Sequence, residues 1–159
     1  MYYIGVIGAS ECPVEISNLA REVGHLVAAS GCVLVCGGRG GVMEAASRGA
    51  REAGGLVVGI LPGSRREEGN RYLTVAVATG MGEARNAIIA RTCDAIIAIS
   101  GGYGTLAEIG LALKMGVPVI GLDTWQLARG GNFTRDIITA DNPGDAVDKA
   151  LRAIRSYPR

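Results

Sequence analysis

The sequence is poor in several residue types that catalytic sites depend on. It has one histidine, His25, and only two lysines, Lys114 and Lys149, against fourteen arginines. A Ser-His-Asp triad or a histidine metal centre therefore has no support, and we expect no metal site. No G-K-[ST] tripeptide occurs, and no glycine cluster has the G-x-G-x-x-G spacing. Classical ATP and NAD sites are therefore disfavoured.

Long apolar segments are also absent. No apolar run reaches the ~18 to 20 residues of a membrane span, and the amino terminus lacks the basic region and cleavage site of a signal peptide. We therefore expect a cytoplasmic protein with no membrane partner. The formal net charge is only +1. Since nucleic-acid-binding proteins need a densely basic surface, we expect no nucleic-acid partner.

The four cysteines have no C-x-x-C spacing, which is the usual mark of a metal or redox site. They are Cys12, Cys32, Cys36 and Cys93. The last three lie within or beside strongly apolar runs. Their pattern favours small buried side chains over metal ligands or disulfides.

The chain has the size and apolar content of one domain spanning residues 1–159, with 48% hydrophobic residues. Seven apolar runs rich in valine and isoleucine alternate with amphipathic segments. Because these runs are continuously apolar, they are typical of parallel strands that helices cover on both faces. The predicted strands are Tyr3–Ile7, Cys32–Cys36, Leu56–Leu61, Leu73–Ala78, Ala95–Ile99, Val117–Leu122 and Ile137–Thr139. The predicted helices span 14–29, 41–53, 83–92, 104–115 and 143–155.

This alternation predicts a Rossmann-like, doubly wound α/β fold with a mostly parallel sheet of about seven strands and helices on both faces. We expect the strand order 3-2-1-4-5-6-7, with ligand at the carboxyl ends of the strands. The polar segment from Pro62 to Arg71 interrupts the alternation. It is predicted to be a solvated surface loop, with an active-site lid as the alternative.

The strongest local motif is the glycine turn that joins the fifth predicted strand to the next helix, Ser100-Gly-Gly-Tyr-Gly-Thr105, with Glu108 in that helix. Glycines let the backbone approach a phosphate closely, and the free N–H groups at a helix start favour negative charge. The alternative for Thr105 and Glu108 is a capping box. Tyr103, rather than Trp125, is expected to stack on a base. The predicted phosphate-binding residues of this turn are Gly101, Gly102, Tyr103, Gly104 and Thr105.

Two further small-residue turns follow predicted strands. Gly37-Gly-Arg-Gly-Gly41 opens a helix after the second strand, and Gly8-Ala-Ser10 ends the first. Because carboxyl ends of parallel strands share one edge of the sheet, these turns are expected to meet the same ligand. The predicted ligand-binding residues are Gly8, Ser10, Gly37, Gly38, Gly40 and Gly41.

Arg85 lies near the start of the predicted helix over 83–92. A cation there meets the positive end of the helix dipole, which costs a few tenths to ~1 kcal/mol. The unfavourable position suggests a functional role, since the expected strand order puts this helix at the switch point where ligands bind. The alternative is a solvated arginine whose charge Glu83 offsets.

Three segments together resemble the LOG family and its relatives, the molybdenum-cofactor carrier proteins. They are Gly37–Glu44, Met81–Asn86 and Gly101–Glu108, and the resemblance covers nearly the whole chain. Its most specific element is the G-G-x-G-T-x-x-E turn, with the Arg85-Asn86 pair upstream. LOG enzymes are phosphoribohydrolases that cleave the N-glycosidic bond of nucleoside 5′-monophosphates and release ribose 5-phosphate.

The resemblance implies two catalytic residues. Glu108 would orient or activate water and stabilise an oxocarbenium-like centre, and Arg85 would assist through the ligand's negative charge. Two positions depart from the LOG pattern: Ser100 replaces a proline and Asn86 replaces a lysine. The Arg-Asn form is similar to the carrier branch, whose members bind a phosphorylated pterin-like cofactor, and it implies that Asn86 contacts the ligand.

Our first interpretation is a carrier or storage protein for a phosphorylated heterocycle, such as the molybdenum cofactor or a purine nucleotide, with no required cofactor. The alternative is a nucleoside 5′-monophosphate phosphoribohydrolase, so enzymatic activity stays open. A lysine decarboxylase, an older assignment for such proteins, does not fit. Lys114 ends one helix and Lys149 lies in the last, so neither suits a Schiff base with pyridoxal phosphate. The resemblance also implies a homo-oligomer, a dimer or larger.

Overall fold

Seven parallel strands form the central sheet in the computed structural model, which describes residues 1–156. A separate antiparallel ribbon contains two short strands. The strands are β1 Tyr3–Gly8, β2 Val33–Cys36, β3 Val57–Leu61, β4 Val75–Ala78, β5 Ala95–Ile99, β6 Val119–Leu122, β7 Ala128–Arg129, β8 Asn132–Phe133 and β9 Ile137–Ala140. The helices are α1 Val14–Ala29, α2 Val42–Glu52, α3 Asn86–Thr92, α4 Tyr103–Lys114 and α5 Pro143–Ser156. The predicted Rossmann-like fold is confirmed.

Helices cover both faces of the sheet. On one face, α1, α2 and α5 pack over side chains such as Ile4 and Val6 of β1. On the other face, α3 and α4 pack over Ile7 of β1 and Ile96 of β5. Because successive strand residues point to opposite faces, the continuous apolar runs supply both cores at once. Cys32, Cys36 and Cys93 are buried as predicted.

The strand order differs from the expected one. The order is β4-β3-β2-β1-β5-β6-β9, so β4 lies at an edge and β5 lies beside β1. The expectation that the fourth strand neighbours the first was wrong. A strand beside β1 must be apolar on both faces, and β5 is fully buried, whereas Val75 and Val77 of β4 are half exposed. The switch point therefore lies between β1 and β5.

The connections around β4 also determine how the site is built. The segment 62–71 is a mostly exposed loop with one 3-10 turn, Arg66–Glu68, as the surface-loop prediction requires. The predicted helix over 83–92 divides into a 3-10 turn, Gly82–Arg85, followed by α3. This connection carries the chain from the sheet edge back to β5, and Arg85 lies on it, bonded to residues at the ends of β2 and β3. Among residues 1–156, none of the helices combines the length and the apolarity that crossing a bilayer requires.

The first two helices approach each other unusually closely, because each presents a glycine at the crossing. A Cβ atom at Gly24 of α1 would overlap with the carbonyl oxygen of Ala46, and one at Gly49 of α2 would overlap with that of Arg21. Both glycines are buried. Backbone packs directly on backbone here, and neither helix can accept a methyl group without moving.

We expect Gly49→Ala to destabilise the protein by at least about 2 kcal/mol, because the added methyl overpacks a backbone contact. The matched control is Gly110→Ala in α4, where an added Cβ meets nothing within 4 Å. Because Gly110 lies at an exposed helical position, this substitution should raise the free energy of unfolding by roughly 0.5 to 1 kcal/mol. Urea unfolding of both variants measures the difference, and equal free energies of unfolding would contradict the close crossing.

Candidate functional site

A cleft of about 500 Å³ opens at the carboxyl ends of the central strands. Its walls come from the turns after β1, β2 and β5, with Pro62 after β3 and the 3-10 turn Gly82–Arg85 on one side. This is the edge at which doubly wound sheets bind ligands, and the cleft includes the switch point between β1 and β5.

The turn after β2 is tied to the turn after β1. The N–H of Val42 donates to the carbonyl oxygen of Ala9 at 3.0 Å. Gly41 has a φ of +59°, and a Cβ there would overlap with that same oxygen. The start of α2 can therefore approach the β1 turn only because glycine stands at position 41.

The glycine turn after β5 leads into α4, whose N-cap is Gly102. Within residues 1–156 no side chain caps this helix, so the capping-box alternative for Thr105 and Glu108 was wrong. Thr105 is buried beneath Gly101, which has a φ of +95° and no room for a Cβ against the threonine side chain. Gly104, Thr105 and Glu108 share one helix face and all line the cleft.

Ser100 adopts a conformation that explains one departure from the LOG pattern. Its φ is +48°, in the left-handed region that non-glycine residues rarely occupy. A proline ring fixes φ near about −65°, so proline cannot stand at this position with this backbone. The turn therefore leaves β5 by a route that the LOG proline would not permit.

Arg85 is buried at 8% exposure, so the alternative of a solvated arginine offset by Glu83 was wrong. Its Nη1 donates to the carbonyl oxygen of Gly37 at 2.7 Å and also to that of Ile60. Its Nε is buried without a hydrogen-bond partner among the described residues. Burial lowers the pKa of the guanidinium, and the nearby carboxyl group of Glu108 opposes that effect.

Glu108 lies half-buried in α4, where it faces the cleft. Burial raises the pKa of its carboxyl group to about 7, while the positive charge of Arg85 acts in the opposite direction. Near neutral pH this group is therefore present in both its protonated and its ionised form. A carboxyl group of that kind can donate a hydrogen bond, accept one, or serve as a general acid or base.

The structure brings together part of the predicted set. The predicted residues that line the cleft are Gly8, Ser10, Arg85, Asn86, Gly102, Gly104, Thr105 and Glu108. Gly37, Gly38, Gly40, Gly41 and Gly101 shape the surrounding turns without lining it. A Cβ at Gly37, for example, would come within 2.5 Å of Nη1 of Arg85. Glycine at such a position leaves room for the side chains and backbone that pack against the turn.

Six residues that line the cleft were absent from the sequence prediction. They are Ala9, Arg39, Met43, Pro62, Gly82 and Glu83. Arg39 was detectable, since it is the single side chain within the Gly37–Gly41 cluster. Its backbone oxygen accepts a hydrogen bond from Nδ2 of Asn70 at 3.0 Å, which fixes the turn against the 62–71 loop.

The two aromatic candidates contact each other outside the cleft. Tyr103 and Trp125 have ring centroids 5.6 Å apart, and Tyr103 is 82% exposed. Neither is among the residues that line the cleft. Within residues 1–156, no group of three or more His, Cys, Asp or Glu side chains is placed to hold a metal ion.

Comparison with known proteins places the chain in a family. The model of the SLOG cluster4 family matches residues 1–147. The chain belongs to this family. The resemblance to LOG proteins and molybdenum-cofactor carriers, inferred from the glycine turns and the Arg-Asn pair, is thereby confirmed.

Sequence relatives include a phosphoribohydrolase. An uncharacterized protein of Archaeoglobus fulgidus is 51% identical over 119 residues, which cover 75% of this chain and 78% of that protein. The cytokinin riboside 5′-monophosphate phosphoribohydrolase of Mycobacterium tuberculosis is 33% identical over 126 residues, covering 74% of this chain and 67% of the enzyme.

Structural neighbours include cofactor-binding proteins. The molybdenum cofactor binding protein of Rippkaea orientalis superposes with a TM-score of 0.87 and 38% identity, over 96% of this chain and 97% of that one. The molybdenum cofactor carrier protein of Chlamydomonas reinhardtii superposes with a TM-score of 0.84 and 29% identity, over 98% of this chain and 99% of that one. The proteins similar to this chain thus include both an enzyme and a carrier, and nothing in these relatives points to a lysine decarboxylase.

The raised pKa of Glu108 predicts a pH-dependent effect of Glu108→Gln on stability. The folded state holds this proton up to about pH 7, whereas the unfolded chain releases it near 4.5. The stability that the proton provides is therefore complete below pH 4.5 and is lost as pH rises through 7. Glutamine cannot ionise. As pH rises, the free energy of unfolding of the variant should therefore increase relative to that of the wild type, by at most about 3 kcal/mol.

Urea unfolding of both proteins between about pH 5 and pH 9 measures this difference in free energy of unfolding. A gap that stays constant over the whole range would contradict a buried, proton-exchanging carboxyl group at position 108.

Proposed function

We propose that this protein binds a phosphorylated heterocycle of the molybdenum-cofactor type in the cleft and acts as a carrier or storage protein. The observation that carries the proposal is the meeting of the α4 N-terminus, Arg39 and Arg85 in one cleft. Free N–H groups and cations at a helix start favour a phosphate. A volume of about 500 Å³ is in the usual range for a small-molecule site.

The phosphate position follows from the glycines of the turn. Gly102 and Gly104 line the cleft, and a Cβ at either would meet nothing within 4 Å. The backbone N–H groups at the start of α4 are therefore open to a ligand oxygen. Thr105, buried at the same helix start, adds a hydroxyl group beside them.

The carrier function is favoured over hydrolysis by three observations. The similarity to the cofactor-binding proteins of Rippkaea orientalis and Chlamydomonas reinhardtii extends over 96% and 98% of the chain. In addition, Nη1 of Arg85 is engaged by two backbone carbonyl oxygens, so this cation supports the walls of the cleft as well as facing it. Because Asn86 stands in place of the LOG lysine, the cleft also has one positive charge fewer than the LOG pattern would give it.

We expect Gly104→Asp to abolish binding of a phosphorylated ligand, because its carboxylate would take the place of the phosphate at the α4 start. Folding should survive, since an acidic residue in the first helical turn is favourable by about 0.3 to 1 kcal/mol. Gly110→Asp is the matched control, because its Cβ also meets nothing within 4 Å and it does not line the cleft.

The measurement is the change in melting temperature with AMP as the probe, together with native mass spectrometry of whatever co-purifies with the wild type. Wild type and Gly110→Asp should be stabilised by AMP, and Gly104→Asp should not. Equal stabilisation of all three proteins would place the phosphate elsewhere.

A phosphoribohydrolase is the second candidate, favoured by the half-buried carboxyl group of Glu108, whose pKa of about 7 suits proton transfer. The carrier proposal predicts no release of ribose 5-phosphate when the protein is incubated with AMP. Product that disappears in Glu108→Gln would establish the hydrolase instead. Self-association, a cytoplasmic location and the absence of a nucleic-acid partner stay predictions.

A further inference from the structure

The loop that follows β6 contacts the glycine turn with two hydrogen bonds. The hydroxyl group of Thr124 donates to the carbonyl oxygen of Ser100 at 2.5 Å, and Nε1 of Trp125 donates to that of Gly102 at 3.1 Å. The ring of Trp125 also lies against Tyr103. Neither Thr124 nor Trp125 lines the cleft.

These two bonds restrict the turn by holding two of its carbonyl oxygens, and the oxygen of Gly102 also accepts the first hydrogen bond of α4, from the N–H of Leu106 at 3.0 Å. In a trans peptide the C=O and the following N–H point in opposite directions. Holding the oxygens of Ser100 and Gly102 therefore turns the N–H groups of Gly101 and Tyr103 away from the loop. Gly101 and Tyr103 flank Gly102, which lines the cleft, so the direction of these two peptide groups sets how Gly102 and the start of α4 face a phosphate.

Backbone strain occurs at both ends of this contact. Ser100 has a φ of +48° and Asp123 a φ of +50°, the two non-glycine residues of the described chain with positive φ. They are neighbours, since each directly follows one member of the Ile99–Leu122 pair that links β5 to β6. Such conformations persist only where surrounding contacts hold them, and they concentrate at ligand sites.

We propose that Thr124 and Trp125 are positioning residues, which hold the glycine turn in its anion-binding conformation without touching the ligand. The proposal rests on the proposed function, in which that turn receives the ligand's phosphate. It adds a structural requirement outside the cleft: the β6 loop must stay in contact for the turn to bind.

The experiment uses Thr124→Val, which removes one donor while preserving the shape of the side chain, and Trp125→Phe, which removes the other donor while keeping a smaller aromatic ring beside Tyr103. Thr124→Ser keeps the donor and should behave as wild type. Thr92→Val is the matched control, because the hydroxyl of Thr92 also donates to a backbone oxygen, that of Ile88, but in α3.

The first readout is amide hydrogen exchange of residues 100–106 without ligand. Loss of one such bond should speed exchange in this segment by about 5-fold in either variant, with no change in α1. Unchanged exchange in both variants would overturn the proposal. A general acceleration across α1 as well would also overturn it, since that indicates a merely structural role.

The second readout is the affinity for AMP, expected to fall by about 3- to 10-fold in Thr124→Val and in Trp125→Phe, and to stay at the wild-type value in Thr92→Val. Faster exchange with unaltered affinity would overturn the link to binding. If the wild type itself fails to bind AMP, the proposed function fails, while hydrogen exchange still decides the positioning role.

Discussion

The buried guanidinium of Arg85 joins three parts of the chain, because it donates to the carbonyl oxygens of Gly37 and Ile60 from the crossover that follows β4. Burying a charge is expensive unless nearby groups compensate it. Here the two carbonyl dipoles do so, aided by the carboxyl group of Glu108. A Cβ atom at position 37 would overlap with this guanidinium, so the walls formed by the turns after β2 and β3 meet at one buried cation.

The fold could be predicted from the sequence further than the site could. The seven strands of the sheet and the five helices follow from local apolar patterns, which are properties of neighbouring residues. The position of β4 in the sheet does not follow from these patterns. Val75 and Val77 are apolar like core residues, and only the strand order shows that β4 lies at the edge. The burial of Arg85 was equally hidden, since its partners lie 48 and 25 residues away along the chain.

The site combines a shared scaffold with two local differences. Phosphoribohydrolases and cofactor carriers both occur among the relatives. The glycine turn with Glu108 is the most specific element of this chain's resemblance to both groups. This chain departs from the LOG pattern at two positions, with Asn86 in place of lysine and Ser100 in place of proline. The left-handed backbone of Ser100 is a conformation that proline cannot adopt, which side-chain comparison alone would not reveal.

Trp125 is the single tryptophan of the sequence, and its indole N–H is bonded to the turn that faces the cleft. Indole emission responds to hydrogen bonding and to the polarity of its surroundings. The wild-type molecule therefore carries its own optical reporter a few ångströms from the start of α4. Movements of the glycine turn can be followed by fluorescence in unlabelled protein, on the timescale of mixing, with no engineered probe to disturb the cleft.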